Sequence, residues 1–390
     1  MVARRILCLN SGSSTLKFAL FQTSSAGAKP PVALREGAIE GVGSGAATLL
    51  LRDGGQSLRV AAPGGRGDHG DALAIVAARL ERDTLGRPDA AGHRVVHGGT
   101  RAAPARIDAE LLDELRARIP LAPLHLPQEI HVIETLATTW PGLAQVACFD
   151  TAFHRAMPER SQRLPLPRRL HDQGIRRYGY HGLSYEYVRD ALGDDVAGRV
   201  VIAHLGSGSS LAALRDGAPV DTTMGFTPTG GVMMGTRSGD LDPGILLHLQ
   251  QAQGWDGARL ARLVNDEAGL LGVSGETSDM RRLLALRAHD PRADEAIAMY
   301  CASVRRAIGA LATELGGLDR LVFTAGIGER AAPVRREICD GLEHLGITAQ
   351  AAARAADAPQ PGDRVRVIAT NENLVVARQT RDLLDAQAAW

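Results

Sequence analysis

The sequence predicts an α/β protein made of two duplicated domains, and three observations lead there. An apolar strand runs into a hydroxyl-rich turn at residues 6–18, Ile-Leu-Cys-Leu-Asn-Ser-Gly-Ser-Ser-Thr-Leu-Lys-Phe, after which alternation resumes with Leu16, Phe18 and Leu20. That is the pattern of a β-hairpin. The same strand and turn return at residues 200–211, Val-Val-Ile-Ala-His-Leu-Gly-Ser-Gly-Ser-Ser-Leu, so Ser-Gly-Ser-Ser starts at Ser11 and again at Ser207, half a chain later. One turn chemistry opening each half indicates a repeat, each half offering a phosphate-binding hairpin to a shared cleft. Strands and amphipathic helices alternate through the remainder, as α/β architectures require.

The bulk properties narrow the partners. A chain of 390 residues accommodates two or three domains with sizeable cores. Its 44 basic residues balance 44 acidic ones, which leaves no net field for nucleic acid or an anionic membrane; basic clusters then serve small anions. No apolar run approaches the ~18 residues of a membrane span. Only Ile6 to Leu9 are apolar between Arg5 and Asn10, so no signal peptide is expected and the location reads as cytoplasmic. Cys8, Cys148, Cys301 and Cys339 lie far apart in apolar contexts, which predicts buried, reduced thiols.

The first turn stands out against this background. The chain has only two lysines, Lys17 and Lys29, and four asparagines, Asn10, Asn265, Asn371 and Asn373. A sequence that writes its cations as Arg keeps a Lys here, where a compact ammonium rather than a planar fork is wanted. Backbone N–H groups, the hydroxyls of Ser13, Ser14 and Thr15, and Lys17 together suit phosphoryl oxygens. An ordinary surface hairpin with a serine-rich turn would show the same residues.

In chain order, residues 37–70 read as further sheet with glycine-rich loops. Residues 71–83 carry Leu73, Val76 and Leu80 at helical spacing. Gly-His-Arg-Val-Val-His-Gly-Gly at 92–99 is a short strand ending in a glycine turn, with Arg94 beside two histidines. Asp108 caps a helix whose Leu111, Leu112, Leu115 and Ile119 face a core, and Pro120 ends it. His125 follows in a loop of prolines and leucines, where a lone histidine is more often a packing residue than a catalyst. Residues 145–149 form a buried strand delivering Asp150 at its C-terminal end, where α/β sheets present functional groups; a turn former or helix cap would also be an Asp.

Arg-Arg-Tyr-Gly-Tyr-His-Gly at 176–182 is a basic, aromatic loop before an amphipathic helix from Ser184, and its His181 reads as exposed to a cleft rather than packed. Residues 221–242 hold Gly, Thr and Met without periodicity, with Arg237 between Thr236 and Ser238. Structureless segments beyond ~12–15 residues are uncommon unless functional. Asp242-Pro243 starts a helix, residues 277–281 open another, and a helix over 292–315 stops at Gly316-Gly317. A strand at 321–324 runs into the glycine turn 325–329 and a helix over 332–345, a unit in which glycines let the backbone approach a nucleotide. A last strand at 365–369, Thr-Asn-Glu-Asn at 370–373, and a helix from Leu374 close the chain.

Several chemistries are absent. No Gly-Lys pair exists, so there is no Walker A loop; no protein-kinase catalytic loop and no zinc spacing occur. The remaining inventory is two hydroxyl hairpins, a glycine turn after a strand, two arginines near glycines and two candidate histidines. Phosphoryl transfer asks for this set, because its work is mostly positioning and charge stabilisation. Arg94 and Arg237 could hold a small carboxylate and the developing negative charge, with His181 donating a further hydrogen bond.

Six stretches resemble, in order and over nearly the whole chain, those of the acetate kinase family: Asn-Ser-Gly-Ser-Ser-Thr-Leu-Lys-Phe, Gly-His-Arg-Val-Val-His-Gly-Gly, Cys-Phe-Asp-Thr-Ala-Phe-His, Arg-Tyr-Gly-Tyr-His-Gly, Met-Met-Gly-Thr-Arg-Ser-Gly-Asp-Leu-Asp-Pro and Phe-Thr-Ala-Gly-Ile-Gly-Glu. The resemblance implies the duplicated, ribonuclease H-like α/β fold of the actin, Hsc70 and sugar kinase superfamily with a central nucleotide cleft. It implies an N-terminal domain over residues 1–150, a nucleotide-binding domain over 151–373, and a helix at 374–390 packing back on the first. The implied reaction is reversible, Mg²⁺-dependent (Mn²⁺ possible) in-line transfer of the ATP γ-phosphoryl group to acetate, giving acetyl phosphate and ADP. A homodimer without nucleic-acid or membrane partners is implied. Alternatives are a propionate or other short-chain acyl kinase and a non-catalytic nucleotide-responsive paralogue.

By motif, Asn10 and Glu372 would organise the metal ion, and Lys17 with Ser13 and Thr15 would hold phosphoryl oxygens. Arg94 would bind the carboxylate beside His125, Asp150 would act as acid/base or orienting carboxylate, and His181 with Arg237 would stabilise the transition state. Val96, Leu124, Tyr180 and Pro228 match the pocket for the acetate methyl. His204, Leu205, Gly206, Ser207 and Gly208, then Asp279, Met280 and Arg281, then Gly326, Ile327, Gly328, Glu329 and Arg330 would contact ATP. The sequence departs from the family pattern where Ser207 replaces Asn, Leu126 replaces Asn, Tyr180 replaces Phe, Arg330 replaces Asn and Asn373 replaces Glu. Ser207 still donates but reaches less far, and the Tyr180 hydroxyl needs a partner if buried.

Overall fold

The computed structural model describes residues 4–12, 14–24, 29–43, 48–53, 56–61, 67–356 and 362–387. The chain forms two compact units, Met1–Phe153 with Asn371–Trp390, and His154–Thr370. The borders lie at 153/154 and 370/371, where the sequence pointed to 150/151 and 373/374.

In the first unit β1 (Arg4–Ser11), β2 (Thr15–Thr23), β3 (Val32–Glu40), β4 (Thr48–Asp53) and β5 (Gln56–Ala61) make an antiparallel meander. With β6 (Ala90–Val95), β7 (Ala105–Arg106) and β8 (Ala144–Phe149) they form one sheet ordered β5-β4-β3-β2-β1-β6-β8-β7, in which β1, β6 and β8 run parallel. The β1–β2 ladder sets Asn10 opposite Lys17, and Gly12 N donates to Thr15 O at 2.7 Å to close the turn. Ser13 of that turn lies outside the described residues.

Helices cover this sheet on both faces. Leu7, Leu9, Phe18 and Leu20 pack with Leu73, Val76 and Leu80 of α1 (His69–Arg82); α2 (Ala109–Ala117) follows, and α3 (Leu126–Thr139) adds Val132 and Leu136. The C-terminal helix Glu372–Gln387 packs on β1, β6 and β8. Its approach is so close that a Cβ on Gly92 of β6 would lie 2.3 Å from Thr380 Oγ1 and 2.6 Å from Val376 Cγ1, which is why that position is a glycine. Burial on both faces explains the unbroken apolar run Ile6 to Leu9 where a half-exposed strand would alternate.

The second unit opens with the short helices α4 (Glu159–Gln162) and α5 (Arg168–Asp172), then α6 (Gly182–Leu192). Its sheet is β9 (Arg199–Leu205), β10 (Ser209–Arg215), β11 (Ala218–Thr222), β12 (Arg320–Thr324) and β13 (Val365–Val367), ordered β11-β10-β9-β12-β13. Between β11 and β12 come α7 (Pro243–Gln253), α8 (Gly257–Arg262), α9 (Gly269–Ser274), α10 (Met280–Leu286) and α11 (Pro291–Leu315). After β12 come α12 (Ala325–Arg330), α13 (Ala332–Cys339) and α14 (Ala349–Arg354). α11 buries Ile297, Tyr300, Val304, Ile308, Leu311 and Leu315 at helical spacing and ends on Gly316, whose φ of 72° is the left-handed turn that stops helices.

The two sheets share one topology. In each, an antiparallel three-strand meander is extended by two strands parallel to its first: β3-β2-β1-β6-β8 matches β11-β10-β9-β12-β13. The duplication inferred from the two Ser-Gly-Ser-Ser turns is therefore present in the architecture.

Local boundaries differ from expectation for identifiable reasons. The stretch 325–329 is a short helix, not a glycine turn. The helix expected over 332–345 ends at Cys339, where Asp340 turns to an extended ψ of 114° and Gly341 follows at a φ of 95°. The last strand is Val365–Val367 rather than 365–369. The C-terminal helix starts at Glu372 rather than Leu374, with the Asn371 side chain accepting from Leu374 N at 3.0 Å. Helix α3, which the sequence reading did not anticipate, begins one residue after His125 with proline in its first turn. All four cysteines are buried and none forms a disulfide, two lying in each unit. Among the described residues no helix is long and apolar enough to cross a membrane.

Candidate active site

In the first unit, three parallel strands present side chains at their C-terminal ends: Asn10 from β1, Arg94 from β6 and Asp150 directly after β8. Arg94 donates to Asp150 Oδ2 from Nε at 3.1 Å and from NH2 at 2.6 Å, and its NH1 donates to Asn10 Oδ1 at 3.1 Å. The Asn10 amide donates to Glu372 Oε2 at 2.8 Å, and that oxygen lies 3.7 Å from Arg94 Nε. Four residues distant in sequence thus form one network. Burial works against the Arg94 charge, but Asp150 and Glu372 outweigh it and hold the guanidinium above its ordinary pKa. The histidines flanking Arg94 are packing residues: burial pushes both His93, bonded to Gln145, and His97, beside Arg118, down to about 4.

The acyl-pocket candidates of this unit are joined by a residue that the motifs did not contain. Glu129, in the first turn of α3, is buried, and its Oε2 accepts from Val96 N at 3.1 Å. It thereby ties the end of β6 to the helix that Leu124 and His125, both half-buried, lead into. Among the described residues Oε1 of Glu129 has no hydrogen-bond partner, and burial pushes this carboxyl up to about 8 against the pull of Arg94. Leu126 is wholly buried. Lys17 is exposed on β2, Thr15 is half-buried, and His69 at the start of α1 holds the turn through Gly12 O at 2.8 Å.

In the second unit the turn between β9 and β10 carries Gly206, Ser207 and Gly208, closed by Gly206 N to Gly208 O at 3.1 Å. A Cβ on Gly208 would lie 3.2 Å from Arg237 NH2 and 3.4 Å from His181 Nε2, so the missing side chain gives both nitrogens access to one spot. Arg237 NH1 donates to Pro228 O at 2.7 Å, and the Tyr180 hydroxyl donates to Phe226 O at 2.8 Å. Tyr180 is buried, and its phenol has found the partner it required.

His181, which the sequence reads as facing a cleft, is half-buried, with one face of its ring covered. Its ring stacks on His204 with centroids 4.0 Å apart, and its Nδ1 lies 2.8 Å from Ser210 Oγ, which is 2.5 Å from the Tyr185 hydroxyl. His181 has a φ of 58°, a left-handed conformation that a cap of α6 can impose. His204 Nδ1 lies 2.8 Å from Ser184 Oγ. The loop bearing Arg237 has no helix or strand over residues 223–242 but is stitched in place by Gly235 N to Ser207 O, Leu270 N to Met234 O and Ser238 N to Val264 O.

Two further stretches flank this turn's sheet. Asp279 caps α10, which starts at Met280, and pairs with Arg281 at 2.7 Å, both solvent-exposed. In α12, Gly326 and Arg330 are exposed and Ile327 half-buried, while Gly328 packs inward. Glu329 Oε1 accepts from Ala325 N at 2.9 Å and from Thr370 N at 3.1 Å, holding Ala325 at a φ of 64° directly after β12. Arg335, wholly buried, donates to Gly328 O and Glu329 O at 2.9 Å and so fixes the C-terminal end of α12.

The donor atoms around Arg94 are oxygens of Asn10, Asp150 and Glu372, a set suited to Mg²⁺ or Mn²⁺ and not to zinc or copper. Among the described residues no cluster of three or more His, Cys, Asp or Glu is placed to hold a metal by itself. An ion here would share its shell with phosphate and water, the usual habit of Mg²⁺.

The whole chain bears out the motif resemblance: the acetokinase family model matches residues 5–378. The chain belongs to the acetokinase family. This acetokinase-family chain is 43% identical over 398 residues to the acetate kinase of Rhodopseudomonas palustris, covering 97% of this chain and 98% of that one. The crystal structure of Porphyromonas gingivalis acetate kinase superposes with a TM-score of 0.83 at 33% identity, covering 98% and 100% of the two chains. A propionate kinase from Francisella tularensis gives 0.87 at 35% identity, covering 97% and 99%. The fold is that of the actin, Hsc70 and sugar kinase group.

Four residues of this acetokinase-family chain escaped the motif reading: Glu129, Tyr185, Ser210 and Arg335. Glu129 and Arg335 had a signal, since each is a charge on the otherwise apolar stripe of its helix, beside Leu126, Ile130 and Ile133 in α3 and beside Val334 and Ile338 in α13. Ser210 and Tyr185 had none, because their hydroxyls meet only through folding.

Proposed function

We propose that this chain catalyses reversible, Mg²⁺-dependent transfer of the γ-phosphoryl group of ATP to acetate, giving acetyl phosphate and ADP by direct in-line displacement. The observation that carries the reading is the convergence of Arg237 NH2 and His181 Nε2 over Gly208, a paired donor site for oxygens that gain charge in the transition state. Arg94 is assigned to the acyl carboxylate, and Val96, Leu124, His125, Tyr180 and Pro228 are assigned to the acyl side. Asp150 orients that carboxylate through Arg94. Lys17, Ser13, Thr15, His204, Leu205, Gly206, Ser207, Gly208, Asp279, Met280, Arg281 and Gly326, Ile327, Gly328, Glu329, Arg330 are assigned to ATP.

Asn10 and Glu372 would hold the Mg²⁺, which when bound neutralises charge on the phosphoryl oxygens. The reading includes a homodimer working in the cytoplasm, supported by the family likeness alone. The experiment is acyl phosphate formation from ATP and Mg²⁺, trapped with hydroxylamine, with acetate, propionate and butyrate in parallel. A highest kcat/KM for acetate is the expected result. A highest value for propionate, the substrate named for one structural neighbour, moves the acyl specificity and keeps the chemistry; no product from any acid overturns the reading.

A further inference from the structure

His181 Nε2 faces the spot over Gly208 next to the Arg237 guanidinium, while its other ring nitrogen, Nδ1, is engaged from behind by Ser210 Oγ at 2.8 Å. Ser210 in turn meets the Tyr185 hydroxyl at 2.5 Å. Both Ser210 and Tyr185 are wholly inaccessible to solvent, so water cannot redirect either hydroxyl. The His204 ring, stacked on His181 at 4.0 Å with 14° between planes, leaves the imidazole little freedom to rotate out of this line.

Building on the phosphoryl-transfer reading, we propose that Tyr185 and Ser210 are positioning residues forming a two-hydroxyl relay that fixes His181 as the neutral tautomer protonated on Nε2, a permanent hydrogen-bond donor to the migrating phosphoryl group. Three proton arrangements are open to the ring. Protonation on both nitrogens sets a second cation beside Arg237. Protonation on Nδ1 alone requires Ser210 to accept from His181 and donate to Tyr185, and it turns a lone pair toward the place where anionic oxygens would lie. In the third arrangement the phenol, the more acidic hydroxyl and better donor, donates to Ser210 Oγ; the Ser210 hydroxyl donates to Nδ1; and the proton of the ring stands on Nε2. Every hydroxyl then has a use, and His181 adds a donor to Arg237 without adding charge.

The test uses the full chain labelled with ¹⁵N-histidine, with wild type and Ser210→Ala, Tyr185→Phe and Tyr300→Phe variants. Wild type is expected to show His181 as the Nε2–H tautomer at neutral pH. S210A is expected to lose that single tautomer and to lower kcat by about 10- to 100-fold, taking as a guide the cost of removing a partner that orients a metal-bound histidine, with KM for ATP and acetate moving less than about twofold. Y185F removes only the far hydroxyl and is expected to shift the tautomer the same way with a smaller fall in kcat. Tyr300 makes an equivalent buried bond to the neighbouring Ser209 at 3.0 Å and does not touch His181; Y300F is expected to keep the tautomer. An Nδ1–H tautomer or an imidazolium in wild type, an unchanged kcat in S210A, or loss of the tautomer in Y300F overturns the relay. Failure of wild type to form any acyl phosphate overturns the function instead, and the nitrogen spectrum still decides the relay.

Discussion

Arg94 places two of its nitrogens on the same oxygen of Asp150, at 3.1 and 2.6 Å, and this spends one edge of the guanidinium on the protein itself. A lysine cannot divide its charge in this way. Arg94→Lys is therefore expected to raise the acetate KM by at least about tenfold, with KM for ATP little changed. Arg94→Ala additionally leaves the wholly buried Asp150 without that cation and is expected to cost about 3–5 kcal/mol of stability. Acetate saturation curves and denaturant unfolding check the two halves separately; normal acetate saturation in both variants would remove Arg94 from the acyl side.

Arg237 is expected to act chiefly in the transition state. Arg237→Ala should lower kcat about 10²- to 10³-fold with a much smaller change in KM for ATP. Steady-state kinetics in the direction of acyl phosphate synthesis decide this, and an unchanged kcat would exclude the side chain from the chemistry.

Glu129 makes stability depend on pH. Its folded pKa, pushed up to about 8 by burial, exceeds its unfolded value near 4.5, so the native state holds a proton that the unfolded chain releases. The resulting stabilisation is full below the unfolded value and is lost as pH rises through about 8. Glu129→Gln, neutral at every pH, lacks this slope. The difference in unfolding free energy between wild type and E129Q should shift against wild type from pH 5 to pH 9, by at most about 1.4 kcal/mol per pH unit. Parallel urea unfolding curves at the two pH values would mean that Glu129 does not keep its proton.

Gly92→Ala tests the packing of the C-terminal helix. The added Cβ meets Thr380 Oγ1 at 2.3 Å, and overpacking of this kind typically costs about 1–3 kcal/mol. Adding Thr380→Ala should recover part of the loss in thermal unfolding; no recovery would show that Val376, at 2.6 Å, sets the distance instead.

The sequence disclosed most of the frame because its signals are local. The hairpins at Asn10 and Ser207, the strand before Asp150 and the helix ending at Gly316-Gly317 all rest on periodicity and on turn residues adjacent in the chain. The duplication was legible from one repeated tetrapeptide, since the turn is where the sheet topology repeats. What stayed hidden depends on long-range contact: the Ser210–Tyr185 bond, the seat of Glu129 under Val96, and Arg335 beneath α12. The stretch at 325–329 misled because two glycines read as a turn, whereas Glu329 closes on Ala325 N and makes a helical turn of it. At His181 the neighbours Tyr180 and Gly182 suggest a cleft but give no hint of the His204 ring that covers one face of the imidazole.

The four buried thiols give each half of the molecule its own clock. Burial pushes Cys301 and Cys339 up to about 12 and Cys8 well above the usual thiol range, so the thiolates that alkylating reagents attack are scarce while the fold is closed. Labelling of Cys8 and Cys148 can then count the openings of one unit, and labelling of Cys301 and Cys339 those of the other, which resolves in a single mass spectrum which half of a duplicated enzyme breathes first.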